Sequence, residues 1–230
     1  MKVNIVDIII VLLLVSGFIT GYKRGFIKQA VSTVGDILVI VLAFLFKNNL
    51  SIILYEKCPF FTIGLLKNYS SLNILFYELM AFLILLIIFS IILRIIIKIS
   101  GLVEDVFEDT EILKLPLKIL GGILGAISSY VALFIILLVL SMPLFDFKLS
   151  NYISKSTLKG YILNNTILIS KISKPLVKSI DSVRKLELDK NLGKEEFNCK
   201  TIDIFKKNKI VTEESLEYLK EHKKLDLNCE

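Results

Sequence analysis

Three carboxylates fall inside long apolar runs of this chain: Asp7, near the start of the first, Asp36, in the first half of the second, and Glu78, at the very start of the third. Ionisable groups at such depth are functional candidates, because hydrocarbon cannot solvate them. Around Asp36 the polar residues form a pattern. Lys28, Gln29, Ser32, Thr33 and Asp36 stand at i, i+1, i+4, i+5 and i+8, which places them on one stripe of an α-helix. Such a stripe must avoid lipid tails. It can line a wet path for an ion or proton, face a partner subunit, or join helices through a buried hydrogen-bonded network, and the network is the favoured reading. With a turn centred near Lys23, Asp7 lies 16 residues before it and Asp36 lies 13 after. At ~1.5 Å rise per residue their heights then differ by about 4–5 Å. The two acids are expected to share one interior layer, served by Asn4, Ser32, Thr33 or water.

Other chemistry is scarcely provided for. Cys58, Cys199 and Cys229 have no metal-ligand spacing. Cys199 and Cys229 can pair if the tail lies in an oxidising space, but free thiols are the expected state. The single histidine, His222, sits in a charged terminal stretch without a ligand or base partner and is read as solvated. Glu104, Asp105, Glu108, Asp109 and Glu111 alternate with Val103, Val106, Phe107 and Ile112, as in a short amphipathic helix with a solvated acidic face. Their order lacks the spacing and turn glycine of a Ca²⁺ loop. There is no G-x-S-x-G and no Ser/His/Asp set. No catalytic residue, metal site or cofactor is assigned, and the chain is expected not to be an enzyme.

The elements that must hold these groups are written in the hydropathy. The chain has 230 residues, is 54% hydrophobic and has a mean hydropathy of +0.71. Four apolar runs, 3–20, 26–46, 77–97 and 117–142, are each near the ~20 residues a membrane-crossing helix needs. The first does not end in a small-residue cleavage site, so it is read as a span and not as a removed signal. The prediction is an all-α integral membrane protein with four transmembrane helices, beginning with a tight helical hairpin across 22–25. An amphipathic, helical C-terminal tail follows. Residues 1–145 are the membrane domain, 146–186 a basic amphipathic segment and 187–230 a charged helical appendage. Residues 47–72, with Pro59, are expected to form a loop, and Pro175 to bend or break the helical pattern around it.

Small residues recur at intervals of four. Gly17, Gly21 and Gly25 share one face of the first helix; Gly121, Gly125 and Ser129 share one face of the fourth. In lipid, where packing drives helix association, such faces let backbones approach closely. They are expected to be helix-packing residues.

The net charge of +6 comes from lysines spread over loops and tail, as headgroup contact requires, and does not point to nucleic acid. The expected partners are the lipid bilayer and either another protein or further copies of the chain. Orientation is balanced by charge. Lys23, Arg24, Lys28, Arg94, Lys98, Lys114 and Lys118 flank one side, and Lys2, Lys47, Lys57, Lys67, Lys148, Lys155 and Lys159 the other. The Lys23-Arg24 pair lies in the shortest link, where the positive-inside rule acts most strongly. Both termini are therefore expected outside.

The order of these features resembles the CvpA family, named for colicin V production. The residues carrying the resemblance are Asp7, then Gly21, Arg24, Gly25 and Phe26 in the hairpin link, then Lys118, Leu120, Gly121 and Gly125 at the start of the fourth span. A weaker sequel is Ser154-Lys155-Ser156-Thr157-Leu158, and the match runs over roughly residues 1–165. The chain departs from the pattern at Gln29, at Lys118 in place of arginine, and at Ser128-Ser129 in place of an Arg-Gly pair. Asp36 is not part of the pattern. The resemblance implies a four-span bacterial inner-membrane protein concerned with colicin V production or export and envelope homeostasis. Related domains fused to extracytoplasmic proteases imply a C-terminus outside. Arg24, Lys28, Ser32, Asp7 and Asp36 are the polar functional candidates. A scaffold or accessory role is the first reading, and an oligomeric channel or transporter lined by helix 1 and helix 2 residues is the alternative.

Overall fold

The computed structural model describes residues 4–61, 66, 69–99, 111–142, 156–164, 170–189, 192–222 and 224, with side chains described for all of these except 111–114, 164 and 170–173. The described residues form helices α1 (Ile5–Arg24), α2 (Phe26–Lys57), α3 (Ser71–Ile99), α4 (Glu111–Ser141), α5 (Thr157–Asn164), α6 (Ser170–Leu188), α7 (Lys194–Lys207) and α8 (Glu213–Glu221). The first four are long and apolar enough to cross a membrane. The expected acidic helix at 101–116 falls mostly outside the described residues, although α4 begins within it, at Glu111.

Gly25 alone separates α1 from α2, and its φ of 80° lies where side-chain-bearing residues are strained. A Cβ there would meet nothing, so conformation and not space requires glycine. The helices that follow one another here do not pack mainly on one another. α1 lies along α4, while α2 packs on α3 and α4 and touches α1 only sparsely.

The expected loop over 47–72 is largely helix. α2 continues to Lys57, and α3 starts at Ser71. Lys47, Ser51 and Tyr55 are one turn apart and all buried, so the polar residues that break the apolar run continue a packing face. At ~1.5 Å per residue, the 32 residues of α2 span about 48 Å, against ~30 Å of hydrocarbon. Its last part must therefore stand outside the hydrocarbon. The first part of α3 matches it: Ser71–Ala81 is almost wholly buried in protein, whereas Ile87, Ile91, Ile95 and Ile99 are exposed and suited to lipid.

The tail covers the end of the bundle where α2 and α4 finish and α3 begins. Asn198 Oδ1 accepts from Ser71 N (3.2 Å) and Ser71 Oγ (2.7 Å) at the start of α3. Lys224 Nζ donates to the carbonyls of Tyr55, Glu56 and Cys58 at the end of α2. Arg184 reaches the Ser141 carbonyl at the end of α4 (3.4 Å). Each contact meets backbone groups that a helix end leaves without an intrahelical partner. The basic segment thus packs on protein: Ile162, Val177 and Ile180 are buried. Pro175 does not break α6. It is the sixth residue, where a proline costs one intrahelical bond, and α6 runs on to Leu188 across the 186–187 boundary. Thr212 caps α8 by accepting from Ser215 N.

Candidate functional site

The polar stripe of α2 divides in two. Gln29 and Thr33 turn inward, 3% and 4% exposed; Gln29 donates to Thr33, and Thr33 Oγ1 donates to the Leu124 carbonyl of α4. Gln29 Oε1 is buried without a hydrogen bond. Lys28, Ser32 and Asp36 turn the other way, into a cleft of about 790 Å³ between α2, α3 and α4. Arg24, Arg94 and Lys98 join Lys28 in its lining, and Ser90 and Ser128 join Ser32. Asp36 Oδ2 accepts from Ser128 Oγ at 2.8 Å. Asp36 and Ser128, 92 residues apart in sequence, thus meet each other.

Asp7 is elsewhere. Its Oδ1 accepts from Ser156 Oγ (2.5 Å) and Leu158 N (3.2 Å), holding the first turn of α5 against α1. The two acids therefore do not share a layer. The turn centre is Gly25, not Lys23, which puts Asp7 18 residues before it and Asp36 11 after. Seven residues at ~1.5 Å separate them by about 10 Å. Asp36 is also exposed in the cleft and not interior.

The small-residue faces meet across α1 and α4. A Cβ on Gly17 would lie 2.6 Å from Ser129 Cβ and 2.8 Å from the Gly125 oxygen. One on Gly21 would lie 2.8 Å from Gly125 Cα, one on Gly121 2.7 Å from the Gly21 oxygen, and one on Gly125 2.9 Å from Gly21 Cα. Gly25 contributes its backbone to Gly121 but is fixed by the turn.

A second polar centre, not anticipated from the sequence, lies towards the tail. Lys47 and Glu78 form a buried ion pair, their side chains 8% and 3% exposed. Ser51 Oγ and Tyr55 OH both donate to Glu78 Oε1, at 2.7 Å and 3.0 Å. Lys47 Nζ also donates to Asn48 Oδ1 (2.6 Å) and to the Ile210 carbonyl in the tail (3.0 Å). The pair is thus enclosed by hydrogen bonds from both bundle and tail. The spacing of Lys47, Ser51 and Tyr55 was the available signal; the partner on α3 and the carbonyl from the tail had none.

Burial also acts within the tail. It lowers the Lys159 pKa, with Arg184 adding to the effect and Asp181 opposing it. It raises that of Glu187, which Arg184 partly offsets. Cys58 is a free thiol, but Cys199 is disulfide-bonded, its partner lying outside the described residues. The expectation of free thiols therefore fails at Cys199. His222 stacks on Tyr218, ring centroids 4.1 Å apart, and its Nδ1 lies 2.9 Å from the Tyr218 carbonyl. No cluster of three metal-ligating side chains occurs among the described residues.

These features define an all-α protein with four membrane-length helices, locked by a glycine seam and closed at one end by its tail. The chain belongs to the family described as Colicin V production protein, whose profile matches residues 6–167. The matched part contains α1 to α5, the cleft and the Lys47–Glu78 pair; α6 to α8 lie beyond it. No curated protein and no solved structure matches the chain.

Proposed function

We propose that the chain is a non-enzymatic scaffold or accessory protein of a bacterial inner membrane, serving colicin V production or toxin export and envelope homeostasis. Family membership supports the process. The docking of the tail carries the scaffold reading: three helix ends and the Lys47 ammonium bind tail residues, so the tail is a folded surface held in fixed relation to the bundle. A surface so held suits recognition by another protein. Its outward placement is supported by the basic Lys23-Arg24 link and by the Cys199 disulfide, which belongs to an oxidising compartment.

The cleft gives the channel reading its support, yet a path through one chain would stop early. Beyond Asp36, α2 is apolar from 37 to 46 before Lys47 is reached. Conduction would need several copies. The deciding experiment is crosslinking and affinity capture from native membranes, comparing the full chain with one ending after Pro143. Specific partners captured only with the tail are expected. A partner set indifferent to the tail, together with ion flux through purified reconstituted protein, would overturn the scaffold reading in favour of the channel.

A further inference from the structure

The cleft between α2, α3 and α4 has four cations in its lining, and the scaffold reading assigns them no ligand. Arg24 ends α1, Lys28 lies in the first turn of α2, and Arg94 and Lys98 occupy the last two turns of α3. Among the described residues Arg24, Arg94 and Lys98 have no ion-pair partner. α2 begins beside Arg24 and Lys28, with no side-chain cap at Gly25 and no acid in its first turn. Its positive end therefore adds to the field of the four side chains.

The surroundings fix what kind of anion suits this place. Ile95, Ile96 and Ile99 on α3, and Leu115, Ile119 and Leu120 on α4, are exposed beside the cations. Arg24 and Lys98 thus lie near helix ends beside an apolar outer surface, within reach of phospholipid phosphates, and Arg94 lies about one turn deeper. The cleft then continues towards the middle of the bundle, with Leu93 and Ile97 as apolar walls and the hydroxyls of Ser32, Ser90 and Ser128 between them. Asp36 is the one carboxylate among the described residues of the lining. It follows Gly35, which packs on Leu93 next to Arg94, and it is held by Ser128. Lys28 lies eight residues before it on α2, or ~12 Å by helical rise, so the Arg24–Lys28 end of the cleft lies away from that carboxylate.

We infer that this cleft binds the phosphate of an anionic membrane phospholipid, with Arg24, Lys28, Arg94 and Lys98 at the phosphate. The glycerol ester groups reach Ser32 and Ser90, and the acyl chains leave along the exposed faces of α3 and α4. Arginine supplies paired donors suited to phosphate oxygens, and the lysines act as point charges. The inference does not depend on the scaffold reading, because a lipid can occupy the cleft whatever the tail recruits.

The test uses the full-length protein purified in a neutral detergent. Native mass spectrometry and thermal unfolding are followed on adding phosphatidylglycerol, phosphatidylcholine or inorganic phosphate. Phosphatidylglycerol should be retained and should raise the melting temperature; phosphatidylcholine should do so much less, and inorganic phosphate not at all. The double variant Arg94→Gln/Lys98→Gln should melt like the parent without lipid, since both side chains are exposed. It should bind phosphatidylglycerol about 30-fold more weakly, as the loss of two interfacial charges implies. A control, Lys174→Gln/Lys178→Gln in the exposed part of α6, should bind like the parent. Equal retention of the two lipids, or undiminished binding by the Arg94/Lys98 variant, would overturn the inference. So would full reproduction of the effect by inorganic phosphate, which would assign the cleft to a soluble anion. Absence of any lipid dependence of melting would also overturn it.

Discussion

At the scale of single residues, the Lys47–Glu78 pair has the largest energetic consequence. Removing two charges from water costs several kcal/mol per ion, and only further hydrogen bonds and close Coulomb attraction offset that cost. Ser51, Tyr55, Asn48 and the Ile210 carbonyl supply those bonds. Breaking the pair from one side leaves a buried charge without its counterion. Lys47→Met or Glu78→Leu alone should therefore destabilise by about 3–5 kcal/mol, whereas the double change should recover most of the loss. Chemical or thermal unfolding of the four proteins in detergent measures this. Additive losses in the double variant would show that the two side chains act independently. The pair also shows what the sequence could and could not disclose. The apolar run stops at Phe46, so Lys47 reads as the start of a loop; its one-turn spacing with Ser51 and Tyr55 is visible, but its partners are 31 and 163 residues away. The shared helix face of Lys28, Ser32 and Asp36 was legible because their spacing is local. The layer expected for Asp7 and Asp36 failed because it depended on the position of the turn, where an error of two residues moves the two helices in opposite directions.

At the scale of elements, the four spans were legible because continuous hydrophobicity is a property of each segment by itself. Their ends and partners were not. α2 outruns its apolar stretch because tail and α3 cover its last three turns, a tertiary cause. The choice of α4 as the main neighbour of α1 follows from two small-residue faces that are far apart in sequence, with Gly21 set against both Gly121 and Gly125. A side chain at either helix must push the backbones apart. Gly21→Leu and Gly121→Leu should each lower stability by about 1–3 kcal/mol, the usual cost of overpacking, or change the oligomeric state in detergent. Gly25→Ala tests a different cause at the same end: it has space but an unsuitable φ, so its penalty should appear without any widening of the α1–α4 seam. Helix separation read from spin-label distances across the seam distinguishes the two. If Gly21→Leu left both melting and distance unchanged, close packing would not be what holds α1 to α4.

At the scale of the whole molecule, the protein is a bundle with two unlike ends. One end carries the tail, its hydrogen bonds to helix termini and the Lys47–Glu78 pair; the other carries the cationic cleft and the Gly25 turn. An even number of spans puts both termini on the tail side. The near balance of flanking charge in the sequence left orientation to the short Lys23-Arg24 link, and the disulfide at Cys199 adds an independent argument for the same orientation. The scaffold reading needs the tail on the side where export and envelope partners are met, and it needs the cleft on the cytoplasmic side. The most direct measurement is labelling of single cysteines by an impermeant thiol reagent in intact cells. Lys23→Cys and Lys207→Cys, both at exposed positions, are introduced separately into a chain lacking its native cysteines. Labelling of Lys207→Cys in intact cells, with Lys23→Cys reached only after permeabilisation, is the predicted result. Labelling of Lys23→Cys but not of Lys207→Cys would contradict the account, placing the tail in the cytoplasm and the cleft outside.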